Sequence, residues 1–424
     1  MHVHFKSRDS SMHMTTGEVI RRIRKSLGMT QAELGAILGY TQPVISQLEH
    51  DGAAIHDVRV LRRIAKALRV PLAILVVESD EEADVNRRNF LRASALGVGT
   101  ATAAGTAGHA AAATSATGSV HVGATEVAEI TASTNQIHEL DLLVGGDRLC
   151  RLAANEVRYV EQLLDGGSYI EEVGQTLASA AAEMMTAAGW VHFDANNREA
   201  ARNYYAEAVQ TANESGDGIA AAHALMNASI MDLTTVGLPQ STNGAPLRPQ
   251  KAANLAQAAQ SAARTQGGPK VRALAALREA QAQGPTDRAA MERAIARAHR
   301  AYESGRGYDP DWVWLPEAEF NALMGISYLG AGMNPQAETY LQAAHATAGE
   351  WPREQAAWQL YRAQNHLEAG DPAQACALLN ANYAAIGSVG SARLQRKLDA
   401  ITAAVRPHAA VPEVREFLEL VASH

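Results

Sequence analysis

Residues 30–51 read TQAELGAILGYTQPVISQLEHD. Thr30 followed by Glu33 forms a capping box, in which the hydroxyl accepts from the third helical amide and the carboxylate reaches back, so a helix is predicted to open at Gln31. Leu34, Ile37 and Leu38 are its predicted inward face. Gly39 supplies a turn, and Thr41 is placed to cap the next helix, over 42–50. Pro43 is tolerable there because it falls in the first turn, where a missing N–H has no partner to lose. Val44, Ile45 and Leu48 are predicted core, leaving Gln42, Ser46 and Gln47 on other faces. Upstream, Ile20, Ile23 and Leu27 recur at helical spacing, with Arg21, Arg22, Arg24 and Lys25 on or beside the opposite face; Gly28 ends that helix. Downstream, Leu61, Ile64 and Leu68 mark a fourth helix that stops before Pro71.

The rest of the chain sets this compact region in context. Its 424 residues are too many for one ordinary core and call for two or three domains. Alanine supplies 85 residues and aromatics only 5%, a balance that favours closely packed helices over a sheet sandwich. Two cysteines, Cys150 and Cys376, exclude a disulfide-stapled scaffold and a Cys-based zinc site. The net charge of −8 is unevenly spread: residues 1–79 carry 11 Lys/Arg against 7 Asp/Glu, and the remainder is acidic. A small basic head on a large acidic body implies that the head meets a polyanion.

The 30–51 string resembles the helix-turn-helix of the phage-repressor and xenobiotic-response-element class of DNA-binding domains, through Gln31, Ala32, Leu34, Gly39, Val44 or Ile45, Leu48 and Glu49. The resemblance implies that the third helix enters the major groove and that the Gln opening the second helix touches a phosphate. By position it makes Gln42, Ser46 and Gln47 base or phosphate readers, Gln31 a phosphate contact, and Thr41 both a cap and a phosphate contact. Gln can pair bidentately with adenine, which gives Gln42 its reason. Pro43 departs from the polar residue usual at its position and leaves apolar contact with a thymine methyl. Members of this class dimerise on paired half-sites, so a homodimer on a double-stranded operator is expected.

Residues 1–14 read as a tail, in which His2 and His4 are simpler as unstructured than as a metal site. Residues 80–123 read as a linker: an acidic patch, then Arg87-Arg88 opening a short basic helix, then an Ala/Gly/Thr stretch with little to bury. Asn86–Arg92 and the small residues after it are similar to a twin-arginine export signal, yet such signals are read at an N-terminus. Behind a DNA-binding head the segment is a basic anchor for a helix, with export or tethering as the rival.

From 124 to 424 amphipathic helical segments alternate with short Gly breaks, and no segment shows strand alternation. One template recurs: Gly189, His192, Asn196, Ala201, Tyr205, Ala208; Gly325, Tyr328, Gly332, Ala337, Leu341, Ala344; and Ala363, His366, Gly370, Ala375, Leu379, Asn382. It resembles the tetratricopeptide repeat, a helical hairpin in which small residues let two helices approach and large ones plug the gap. Further pairs, opening with 126–144 and 147–164 and closing with 391–405 and 412–421, bring the total to six or seven, enough to stack a continuous core. The expected architecture is therefore all-α: a helix-turn-helix head at 15–79, a linker, and an α-solenoid of tetratricopeptide-like pairs at 124–424. Head and array together resemble bacterial transcriptional regulators, and 31 Arg against 6 Lys suits an actinobacterial type.

Trp312, Trp314, Trp351 and Trp358 cluster with several tyrosines, either lining a groove or filling gaps between hairpins. Asn227, Trp314, Asn321, Tyr328 and Asn365 are the candidate groove residues. No phosphate-cradling loop, metalloprotease or nucleophile-elbow motif is present, and Glu171, Glu172, Glu317 and Glu319 read as solvated helix faces. The expectation is a cytoplasmic, non-enzymatic regulator without cofactor, metal or membrane contact, whose array dimerises and senses a peptide, protein or small molecule. A protein-interaction scaffold and a membrane-tethered sensor are the alternatives.

Overall fold

The computed structural model describes residues 14–52, 57–75, 121–233, 248–305, 307–347 and 351–423. The tail, most of the linker and the Arg87-Arg88 segment lie outside these residues. Two compact units divide the chain: one holds the head from Thr16 to Leu75, the other the helical array that begins at Gly123. Every described element of more than one bridge is helical, and no described helix is long and apolar enough to cross a membrane.

The head comprises α1 (Thr16–Ser26), α2 (Gln31–Leu38), α3 (Gln42–Glu49) and α4 (Val58–Leu68), closed by a 3-10 turn at Leu72–Ile74. Thr30 Oγ1 accepts from the Glu33 amide at 3.2 Å while Glu33 Oε2 accepts from the Thr30 amide at 2.7 Å, the capping box expected of α2. Gly39 ends α2 at φ 69°, in the left-handed region where a side chain is strained. Val19, Ile20, Ile23, Leu34, Leu38, Ile45, Leu48, Leu61, Ile64 and Leu68 form the core.

Several expectations about the head need correction, among them Val44, which is half-buried and not core. Ile37 is 57% exposed: α2 buries Leu34, Gly35 and Leu38, and Ile37 falls roughly 100° round the helix from the centre of that arc. Leu27 is 49% exposed because α1 ends at Ser26 and the chain leaves the helical path at Gly28 (φ 67°). Arg24 does not join the basic outer face; it is buried against Glu49.

The array runs α5 (Ala124–Val144), α6 (Cys150–Gly166), α7 (Glu171–Asp194), α8 (Arg198–Ser215), α9 (Gly218–Met231), α10 (Pro249–Ala262), α11 (Pro269–Gln283), α12 (Arg288–Glu303), α13 (Glu317–Gly330), α14 (Asn334–Ala346), α15 (Pro352–Glu368), α16 (Pro372–Gly387), α17 (Ala392–Val405) and α18 (Pro412–Ala422). Five hairpins, from α7/α8 to α15/α16, pack in sequence. Their spacing follows from the template. A Cβ on Gly189 would lie 2.5 Å from the Tyr205 ring, and one on Gly325 would lie 2.7 Å from Leu341 Cγ, so the plug of one helix occupies the notch of its partner. The third template position adopts positive φ in each copy: Asn196 at 64°, Gly332 at 68°, Gly370 at 83°. In each, the next amide reaches back to the template's second residue, as Asp371 N does to His366 O at 2.8 Å.

The outermost pairs are not hairpins of this kind. α5 packs chiefly on α7, and α18 chiefly on α16. The α9, α11, α13, α15 and α17 helices follow one another along the inner side, and α17 meets α7, so the array closes on itself. At the closure Ser391 and Arg393 both donate to Asp194, at 2.8 and 3.0 Å. Arg353 is bonded to Asp141, and Trp190 Nε1 donates to the same Asp141 at 2.9 Å. The Trp190 ring lies 5.5 Å from the Arg353 guanidinium and 5.7 Å from that of Arg393. Gly145 supplies the close approach: a Cβ there would lie 1.9 Å from the Gly390 carbonyl oxygen.

Candidate nucleic-acid interface

Gln31 and Gln42 open α2 and α3, so both stand where unpaired amides and the helix dipole favour a phosphate. A hydrogen-bonded chain fixes them. Arg24 Nε donates to Glu49 Oε1 at 2.5 Å and Nη2 to Oε2 at 3.0 Å. Gln31 Nε2 donates to the same Glu49 Oε2 at 2.8 Å, and Gln42 Nε2 donates to Gln31 Oε1 at 2.5 Å. Burial would push the Glu49 carboxyl up, but the Arg24 and Gln31 hydrogen bonds outweigh it and hold it below its usual range. The ion pair inside the head thus orients two amides at its surface.

Thr41, Gln42, Pro43 and Gln47 are exposed, and Ser46 is half-buried. Thr41 sits at the cap position (φ −80°, ψ 157°) but makes no side-chain capping bond. Its hydroxyl is therefore uncommitted to α3, a correction to its expected capping role. Pro43 lies in the first turn of α3, its ring outward. Arg21, Lys25, Arg59, Arg62, Lys66 and Arg69 are exposed on the head; Arg63 is anchored to Leu38 O and to the Tyr40 hydroxyl at 3.1 Å. Sequence reasoning missed Arg24 as the anchor of the site, since a cation amid other cations carries no mark of burial.

A helix-turn-helix family model matches residues 20–75. No curated protein and no solved structure matches the chain. The head is a helix-turn-helix of the phage-repressor type, a DNA-binding fold, followed by a helical region.

Where the five candidate groove residues of the array bond or stack, their partners are other residues. Asn365 exchanges bonds with Asn334 across two hairpins, Nδ2 of Asn334 meeting Asn365 Oδ1 at 3.0 Å. Tyr328 stacks on Tyr340 with centroids 5.5 Å apart. Trp314 packs edge-on to Trp351 at 4.8 Å, beside the buried Trp358. Asn227 is buried on α9 and Asn321 half-buried on α13. Trp312 instead faces inward, stacked at 3.6 Å on His223, whose Nδ1 bonds Glu183 at 2.7 Å. Glu319 departs from the solvated face expected of it: it is half-buried, and burial pushes its carboxyl up to about 7.

Proposed function

We propose that this chain is a sequence-specific, DNA-binding transcriptional regulator that acts in the cytoplasm as a homodimer. Its α3 helix enters the major groove, Gln42 and Gln47 read base edges, Pro43 meets a thymine methyl, and Thr41, Ser46 and Gln31 contact backbone. The observation that carries this reading is the Arg24–Glu49–Gln31–Gln42 chain, which holds an exposed amide at the leading edge of α3. Preorganising a reader costs less on binding than ordering a free side chain.

The array is the proposed receiver of a peptide, protein or small-molecule signal, built of tetratricopeptide-type hairpins and without catalytic function. Signal binding changes operator affinity only if the signal prefers one of two arrangements of the dimer. The test is immunoprecipitation of the tagged protein across its genome, then binding assays on the enriched sites. Gln42→Ala with Gln47→Ala should abolish site-specific binding with the fold intact; retained specificity would refute the assignment of α3.

A further inference from the structure

We propose that the inner side of the array binds a small organic anion with an aliphatic body, a medium-chain carboxylate being the class that fits. This rests on the signal-receiving reading above and names the chemistry of the signal.

A small cleft, open to solvent, lies between α9, α11, α13, α15 and α17. Ile230, Leu233, Ile326 and Leu329 form its apolar walls, and Lys397, Tyr361 and Gln281 its polar end. Two cations, Lys397 in the lining and Arg278 behind the lining Gln281, lack a carboxylate within 4 Å among the described residues. Lys397 donates to the Gln364 amide oxygen and lies 3.9 Å from the centre of the Tyr361 ring. The Gln364 amide is shared: its Nε2 donates to Glu368 at 2.7 Å, so Gln364 stands between Lys397 and the nearest acid. Arg278 donates to Gln281 at 2.9 Å, and its Nε is buried with no partner. Arg393, the third cation of this region, is already taken by Asp194.

Cations half-buried without a close counter-ion are costly, and an anion beside them would offset that cost. Burial agrees with the geometry, lowering Lys397 to about 7, with Arg393 adding to the effect; Glu319 and Glu368 are the acids that act on the two cations from a distance. Four aliphatic walls beside a cationic end select an amphipathic anion over a bare one.

The test uses full-length protein without DNA, titrated calorimetrically with octanoate, octanamide and inorganic phosphate. One octanoate per chain should bind, at least tenfold tighter than the amide or phosphate. Near pH 7.5 binding should take up a proton, visible as a heat that varies with the buffer's ionisation enthalpy. Lys397→Met, which keeps the stem, should weaken octanoate tenfold or more, and Leu329→Gln should weaken it while sparing the cations. The buffer series needs no variant and so remains decisive if a variant fails to fold. No binding, equal binding of octanoate and phosphate, or undiminished binding by folded Lys397→Met would overturn the proposal. Failure here leaves operator binding untouched; octanoate that binds without altering operator affinity would keep the site and remove the signalling reading.

Discussion

Glu49 carries more of the head than its place beside the recognition helix suggests. Its carboxylate is fully withdrawn from solvent and satisfied by Arg24 and Gln31. Glu49→Ala should cost about 3–5 kcal/mol, because it leaves a guanidinium buried and unpaired. All five tryptophans lie at or beyond residue 190, so the array alone reports by tryptophan fluorescence. The variant should therefore lose helix by circular dichroism at lower temperature while the fluorescence transition stays in place; coincident shifts would show that the pair does not act within the head. Glu319 makes the second prediction at this scale. Its carboxyl releases its proton near 4.5 when unfolded and near 7 when folded, so between these pH values the native state holds the extra proton and stability falls as pH rises. Glu319→Gln should remove that slope, gaining on the parent by about 1–2 kcal/mol between pH 5 and pH 8 in denaturant titrations. A difference that does not change with pH would contradict the burial argument.

Among elements, the hairpins were the most legible part of the sequence and their ends the least. The template named Gly189 with Tyr205 and Gly325 with Leu341 because a notch and its plug recur at fixed spacing, and the contact follows from helical geometry alone. The same spacing marked Asn196, Gly332 and Gly370, which take positive φ. The opening and closing helices were found but mispaired, since nothing in an amphipathic stripe names the helix that will cover it. In the head the Gln31–Gln42 face was legible from the motif, whereas Ile37 was misplaced because an eight-residue helix buries too narrow an arc for every apolar residue. Gly325→Ala should destabilise the array by about 1–3 kcal/mol, through forced repacking around Leu341. Ala344→Gly, in the same hairpin, should cost about 1 kcal/mol by helix propensity before its buried methyl is counted. The fluorescence transition measures both, and a neutral Gly325→Ala would mean the hairpin has room that its geometry denies.

At the scale of the whole molecule, closure of the array joins residues that sequence cannot associate: Asp141 with Arg353, and Asp194 with Ser391 and Arg393. Local patterns reach one helical turn or one hairpin, and these contacts span half the chain. Asp141→Asn and Arg353→Gln should each destabilise the array, and the double variant should recover part of the loss, since a buried pair is worst when halved. Trp190, bonded to Asp141, should report the change in its emission. Operator recognition belongs to the head, and it is tested by the affinity of full-length protein for a genome-enriched site, followed by anisotropy as salt rises. The expected result is a short, two-fold symmetric site, affinity falling steeply and log-linearly with salt, and loss of specificity in Gln42→Ala/Gln47→Ala. Affinity that ignores salt, or a double variant that still tells the site from random DNA, would contradict it.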